Sequence, residues 1–391
     1  MSPPRVLGRR ALLVGAGAAA LVAAGTSERW LPSPVVQGGD DPEALRRAVL
    51  GGVVAHTGTA TATGRLGLPA VPKLEAASTL LSTTTRIRVQ VATAGRWRVD
   101  GLTPVGEVDT YRDGSTEHTW DYGAQRLTTV TPLAPVRLPR ASDLAPADLA
   151  RRLLRVTASE PVTALPGRRV AGLDAAGLRI SPADPDTTVR RIDVWAVPSG
   201  GGALPVAVQV VARTGTPGPG GSPPDPDRPL VETAFDTVEL APPPQAALAP
   251  AVPPGAERVR ARPDDLAGTL RGLDAPDPPD TLSGRDRVPL PETGLLPGVA
   301  VYGAGVGRFV LVPTARDVVD GIVRGSGAAG GVGIEGLRPT REDPDVTAAR
   351  VATPLLTLVV ARRGGRGYLL AGTVVPRVLE RAARELVGDD A

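Results

Sequence analysis

Between residues 53 and 131 the chain alternates apolar and polar positions with a period of two. Ile87, Val89 and Val91 fall on one side of the alternation, and Arg86, Arg88 and Gln90 on the other. Trp97 and Val99 alternate with Arg96, Arg98 and Asp100, and His118, Trp120 and Tyr122 with Thr119 and Asp121. Period two with one wet face predicts a half-buried antiparallel sheet. Ala94-Gly95, Asp113-Gly114 and Tyr122-Gly123 supply the turns between strands, and residues 72–82 read as a short helix.

The pattern before and after this run changes period. At residue 41 a helix is predicted to begin, with Asp41 as cap, Pro42 in the first position, and Leu45, Val49 and Leu50 facing the sheet. Residues 145–156 read as an amphipathic helix, with Leu149, Leu153 and Leu154 apolar and Arg151, Arg152 and Arg155 in solvent. Strands resume at 169–180, 187–197 and 204–213. A loop rich in Pro, Gly, Ser and Asp at 215–229 is expected to be mobile, and a strand at 231–240 closes the first domain, 41–240.

Pro, Ala and Asp then dominate 241–285, which reads as a linker with a weak helical piece at 263–273. Residues 286–391 form a second, smaller α+β unit. Its strands at 299–302 and 309–312 flank a glycine-rich turn, and a hairpin bends at Arg363-Gly364-Gly365. Thr373 is expected to cap a final helix bearing Val375, Val378, Leu379, Ala382 and Leu386 at helical spacing.

Composition removes several function classes. The chain of 391 residues has no cysteine, which excludes disulfides, thiolate metal sites, a cysteine nucleophile and a lipidated cysteine anchor. Residues 1–25 have a basic start, an apolar run of about 15 residues and small residues at the end, the layout of a secretory signal. Arg9-Arg10 within it resembles a twin-arginine export signal. The run is short for a membrane span, so the leader is expected to be cleaved or to serve as a weak anchor, followed by a spacer at 26–40. Without Arg5, Arg9 and Arg10 the 44 basic residues fall to equal the 41 acidic ones. A neutral chain with 3% aromatic residues lacks the footprint of a nucleic-acid binder.

Catalytic and cofactor signals are weak. His56 and His118, the only histidines, lie on predicted strands without carboxylates at metal-ligand spacing, which favours a structural role. Gly303-Ala304-Gly305-Val306-Gly307 sits between two strands with no helix after it, so it reads as a hairpin turn and not as a phosphate cradle. Asp109, Asp113, Glu117 and Asp121 read as solvated turn residues. Neither an enzyme nor a cofactor is indicated.

The order of the strand motifs adds a resemblance. A threonine-rich first strand and a basic strand are followed by Gly95-Arg96-Trp97-Arg98-Val99-Asp100, Gly106-Glu107-Val108-Asp109, Tyr111-Arg112-Asp113-Gly114 and Thr119-Trp120-Asp121-Tyr122. Ile192-Asp193-Val194-Trp195 and Leu204-Pro205-Val206 come later. This order, over roughly residues 45–240, resembles the LolA/RseB family of extracytoplasmic lipid- and lipoprotein-binding proteins.

The resemblance implies an α+β fold: a curved, incomplete antiparallel β-barrel with covering helices, joined here to the small C-terminal domain. Its concave face would hold acyl chains beneath a lid built from residues 74–82 and 145–156. Ile87, Val89, Val91, Trp97, Val99 and Trp120 would line that hollow, with Leu80 and Leu153 from the lid. The first strand carries Gly58, Ala60, Ala62 and Gly64 on one face, leaving room for either a close-packed helix or a ligand. Three functions follow as expectations for an exported, non-enzymatic protein. The first is a carrier or scavenger of lipid or lipoprotein acyl chains. The second is an RseB-like regulator that binds the outer part of a membrane anti-sigma factor or another envelope protein, and the third a purely structural envelope protein.

Overall fold

Alternation becomes architecture in twelve strands that hydrogen-bond into one open sheet. They are β1 (His56–Gly64), β2 (Thr84–Thr93), β3 (Arg96–Thr103), β4 (Gly106–Asp113), β5 (Thr116–Asp121), β6 (Arg126–Val130), β7 (Val162–Val170), β8 (Leu173–Ile180), β9 (Val189–Ser199), β10 (Gly202–Ala212), β11 (Val231–Glu239) and β12 (Glu257–Ala261). Their spatial order is β12-β6-β5-β4-β3-β2-β1-β11-β10-β9-β8-β7. Every pair is antiparallel except β12 with β6, which is parallel. The computed structural model describes residues 41–67, 75–103, 106–133, 139–213, 225, 227–261, 276–289, 297–326, 331–339 and 345–388. All of these fall in one of the chain's two compact units, that of Val36–Ala391. The leader, the spacer, the weak helical piece at 263–273 and nearly all of the 215–229 loop lie outside the described residues.

The sheet is more continuous than the pattern alone predicts. The expected single strand at 169–180 is a hairpin, β7 and β8, turning at Ala171 and Gly172, both with positive φ. β7 escapes detection because Pro166-Gly167 reads as a turn signal; the strand absorbs it with a shift of register between Leu165 and Arg168. The proline-rich stretch expected as a linker contributes a short 3-10 turn, Gln245–Leu248, and then β12, which extends the sheet beyond β6.

Among the described residues, three α-helices accompany this sheet. Helix α1 (Pro42–Gly51) begins as its sequence dictates, the Asp41 carboxylate accepting from the Ala44 N–H at 2.9 Å with Pro42 next in line. α2 is Glu75–Ser82 and α3 is Pro146–Val156. On α3 the buried stripe is Ala147, Ala150, Arg151 and Leu154, while Leu149 and Leu153 are only half-buried. Arg151 is therefore not in solvent. It is 6% exposed, and its guanidinium donates to the carbonyls of Val49 and Gly52, each at 3.2 Å. Those carbonyls belong to the end of α1, where backbone acceptors lack intrahelical partners, so a cation there satisfies them.

A second, six-stranded sheet has β15 (Ala300–Tyr302), β16 (Phe309–Thr314), β20 (Arg366–Gly372), β19 (Thr357–Arg363), β18 (Val346–Ala352) and β17 (Val332–Gly333) in spatial order. A two-stranded ribbon, β13 (Thr281–Leu282) with β14 (Arg285–Asp286), precedes it. Helix α4 (Arg316–Ser326) sets Val319 and Ile322 against Ala349 and Val360, on one face of the sheet. Helix α5 (Pro376–Val387) sets Val378, Leu379, Ala382 and Ala383 with Ala348, Val359 and Ala361, on the other face. Thr373 does not cap α5: Val375 holds that position, and the Thr373 hydroxyl donates to the Val306 carbonyl.

The two sheets meet along the connection between β8 and β9. Thr187 forms an isolated antiparallel bridge with Val374, and the Thr188 hydroxyl donates to the Leu355 carbonyl at 2.6 Å. Arg285 reaches Asp184 at 2.8 Å and the Gly307 carbonyl at 3.0 Å, and Arg377 pairs with Asp186. The glycine-rich turn thus sits against Asp184: a Cβ on Gly307 would overlap that carboxylate.

Candidate functional site

Cross-strand register decides which of the sequence-predicted site residues share a face. Val89 pairs with Val99, Val91 with Trp97 and Ile87 with Gly101. Paired residues point the same way, so Ile87, Val89, Val91, Trp97 and Val99 form one apolar face. Leu80 from α2 and Leu153 from α3 pack into the same cluster, so seven of the eight expected residues come together. Trp120 does not join them. It pairs with Asp109, which pairs with Asp100, and that row lies on the opposite face. There Trp120 packs with Tyr111 and Leu127, against Val252 and Ala256.

On the helix-covered face the described side chains pack closely against one another. Ile87, Val89 and Val99 are each 1% exposed, and Leu45, Val49 and Leu154 close over the sheet with them. The small-residue stripe of β1 takes the packing role of the two left open by the sequence. A Cβ on Gly64 would overlap the backbone of Leu81 in α2, and one on Gly58 would overlap the Thr237 carbonyl. His56 lies on this face as well, fully buried, its Nδ1 2.8 Å from the Val54 carbonyl and its ring edge-on to Phe235 at 5.5 Å. Burial depresses its pKa to about 4, so the imidazole is a neutral core group.

The opposite face carries buried charge. Arg98 donates to Asp100 at 2.6 Å and to Asp109 at 2.8 Å, and Arg88 reaches Asp100 at 3.0 Å and Glu107 at 3.5 Å. The Tyr111 hydroxyl donates to Asp109 at 3.0 Å. Asp109 and Glu117, solvated turn residues on the sequence pattern, are both inside the protein. The former is fully buried, and the latter is 5% exposed and paired with Arg140. Burial lifts the carboxyls of Asp100 and Asp109 above the ordinary carboxylate range, against the opposing pull of Arg98.

Asp100, Glu107 and Asp109 offer carboxylate oxygens within 4.8 Å of one another, close enough to surround a metal ion. The guanidiniums of Arg98 and Arg88 already neutralise two of those three charges. The arrangement is an ionic core, and its carboxylates are satisfied mainly by arginine.

No protein-family model and no curated protein matches the sequence. Solved structures to which the chain is similar include Pseudomonas aeruginosa MucB in complex with MucA, at 17% identity and a TM-score of 0.44, covering 87% of this chain and 95% of that one. A putative outer membrane lipoprotein-sorting protein domain from Vibrio parahaemolyticus follows at 12% identity and a TM-score of 0.22, covering 51% and 91%. A LolA superfamily protein from Nitrosomonas europaea is similar at 13% identity and a TM-score of 0.21, covering 53% and 95%. These are LolA/RseB-like proteins, the family whose strand order the sequence resembles. Among the described residues no helix is long and apolar enough to cross a membrane.

Proposed function

We propose that this chain is an exported, non-enzymatic binding protein of the RseB-like kind, acting outside the cytoplasm on the outer segment of a membrane anti-sigma factor. The observation that supports the reading is the close packing of the described side chains beneath α1, α2 and α3. Where the side chains of a sheet and its helices occupy the space between them, ligands are left the outer surfaces, and those suit a polypeptide partner. The second sheet, held against the first through Thr187, Thr188, Asp184 and Asp186, enlarges the surface on offer. A partner of this kind extends to the present chain the pairing of MucB with MucA. Capture of the outer segments of candidate anti-sigma factors on immobilised protein tests it. Saturable binding that weakens when Asp184 or Arg285 is replaced is the expected result, and failure with every candidate would overturn it.

A second reading, a carrier of lipid or lipoprotein acyl chains, has its own support. Leu80, Ile87, Val89, Val91, Val99 and Leu153 form a continuous apolar surface between sheet and helices. A chain that displaced α2 would exchange one apolar contact for another. An acyl chain is worth on the order of 10 kcal/mol relative to water, at about 0.8 kcal/mol per methylene, and nearly nothing relative to a bilayer. Such a carrier needs only rough parity with the membrane and a helix that moves. Native mass spectrometry of protein purified from its own host without detergent decides between the two: a retained lipid mass favours the carrier.

A further inference from the structure

The ionic face continues past β5 to the edge of the sheet, and there it opens. A cavity of about 680 Å³ lies over β5, β6 and β12, roofed in part by Pro250 and Val252. That is a common size for a small-ligand pocket. Register places its polar groups in a row. His118 pairs with Thr129, and Thr129 with Arg260; one step along, Trp120 pairs with Leu127, and Leu127 with Arg258. Arg258, Arg260, His118 and Thr129 therefore share the cavity face.

Several features of the lining point to an anion. It contains two guanidiniums and no carboxylate. Among the described residues, the guanidiniums of Arg258 and Arg260 make no hydrogen bond or ion pair, and both residues are exposed. Two positions apart on a strand, their Cα atoms are separated by about 6.8 Å, so both can close on one polyanionic group. Hydroxyls lie beside them on the same face: Thr129 is 3.0 Å from His118 Nδ1, and Thr116 donates to Thr131 at 3.2 Å. The nearest buried carboxylate on this face, Asp109, is three strands from β12, roughly 14 Å at about 4.8 Å per strand, beyond a Debye length at physiological salt. Guanidinium forks with hydroxyl donors match the oxygens of a phosphate. The volume exceeds what a bare phosphate fills, and Leu127, Val252 and Ala261 supply an apolar wall for the remainder.

We propose that this cavity is a binding site for an organic phosphate, held by Arg258 and Arg260 with its organic part against Leu127 and Val252. The competing explanation is that two charges on an edge strand serve only to keep it from pairing with another chain. The site lies on the face away from α1, α2 and α3 and does not depend on the identity of any protein partner.

Calorimetric titration of the full chain with glycerol 3-phosphate, alongside flotation with phosphatidylglycerol vesicles, tests the assignment. Binding to at least one probe is expected. The Arg258→Ala/Arg260→Ala double variant should weaken it about tenfold or more, since it removes two charge-assisted contacts. Arg155→Ala, an exposed helix substitution, should leave it unchanged. Retention by phosphatidylglycerol vesicles but not by phosphatidylcholine ones assigns the phosphate to a lipid headgroup, whereas heat from glycerol 3-phosphate alone assigns it to a soluble ligand. Neither heat nor flotation, or equal affinity in the double variant, would overturn the proposal and leave the arginines as edge protection.

Discussion

The two faces of the twelve-stranded sheet solve the burial problem in opposite ways. Beneath the helices, Ile87, Val89, Val99 and the small residues of β1 exclude water with side chains that have nothing to ionise, and the buried imidazole of His56 is held neutral. On the other face Asp100 and Asp109 are just as inaccessible, yet they are charged partners of Arg98. Dispersion and apolar burial hold the first face, with His56 its acid-sensitive point. The second depends on each ion keeping its partner, because an isolated buried charge is far costlier than a solvated one. The helix-covered face is accordingly the more tolerant of rearrangement, and the ionic face the more specific.

The comparison can be broken at four places, in descending order of effect. Arg98→Ala should cost about 3–5 kcal/mol in urea denaturation at neutral pH, because it leaves Asp109 without a cation and Asp100 with Arg88 alone. That cost should shrink as acid protonates the two carboxyls; a loss under about 1 kcal/mol at neutral pH would mean water reaches them. Ile87→Ala, on the apolar face, should cost roughly 3 kcal/mol by cavity formation, with no dependence on pH.

His56 supplies the acid sensitivity of that face. Its folded pKa of about 4 lies below the unfolded value of 6.5, so the folded state binds fewer protons. Its contribution is present above pH 6.5 and is lost as pH falls towards 4, at most roughly 3 kcal/mol. The slope should vanish in His56→Leu, as read by thermal melts across that window. Gly64→Ala should destabilise by about 1–3 kcal/mol, since the added methyl meets the Leu81 backbone. A neutral result there would point to a hollow above β1 after all.

Much of this is legible in the residues, and the gaps have physical causes. Alternation within a strand marks two faces but does not say which face of one strand matches which of the next. Only the register does, and it sets Trp120, which the resemblance placed with Val99, among Tyr111, Asp109 and Leu127. Asp41 and Pro42 fix the start of α1 through local chemistry and are readable as such. Arg151 is not, because its buried role depends on the end of another helix, about a hundred residues away in sequence. The cavity over β12 is equally hidden: β12 lies in a stretch whose prolines read as a linker, and it joins β6 by a parallel pairing that no hairpin signal announces.

The position of β11 has a consequence for how the protein is made. This strand, encoded last among the eleven consecutive members of the sheet, sits between β1 and β10 and, among the described residues, is the strand that joins the two halves of the ladder. Until residues 231–239 have emerged, β1–β6 and β7–β10 are separate stacks, each with a bare inner edge. A chain arrested during synthesis or export before that point would present two sticky rims, and its safe passage would rest on whatever keeps unfinished polypeptides apart.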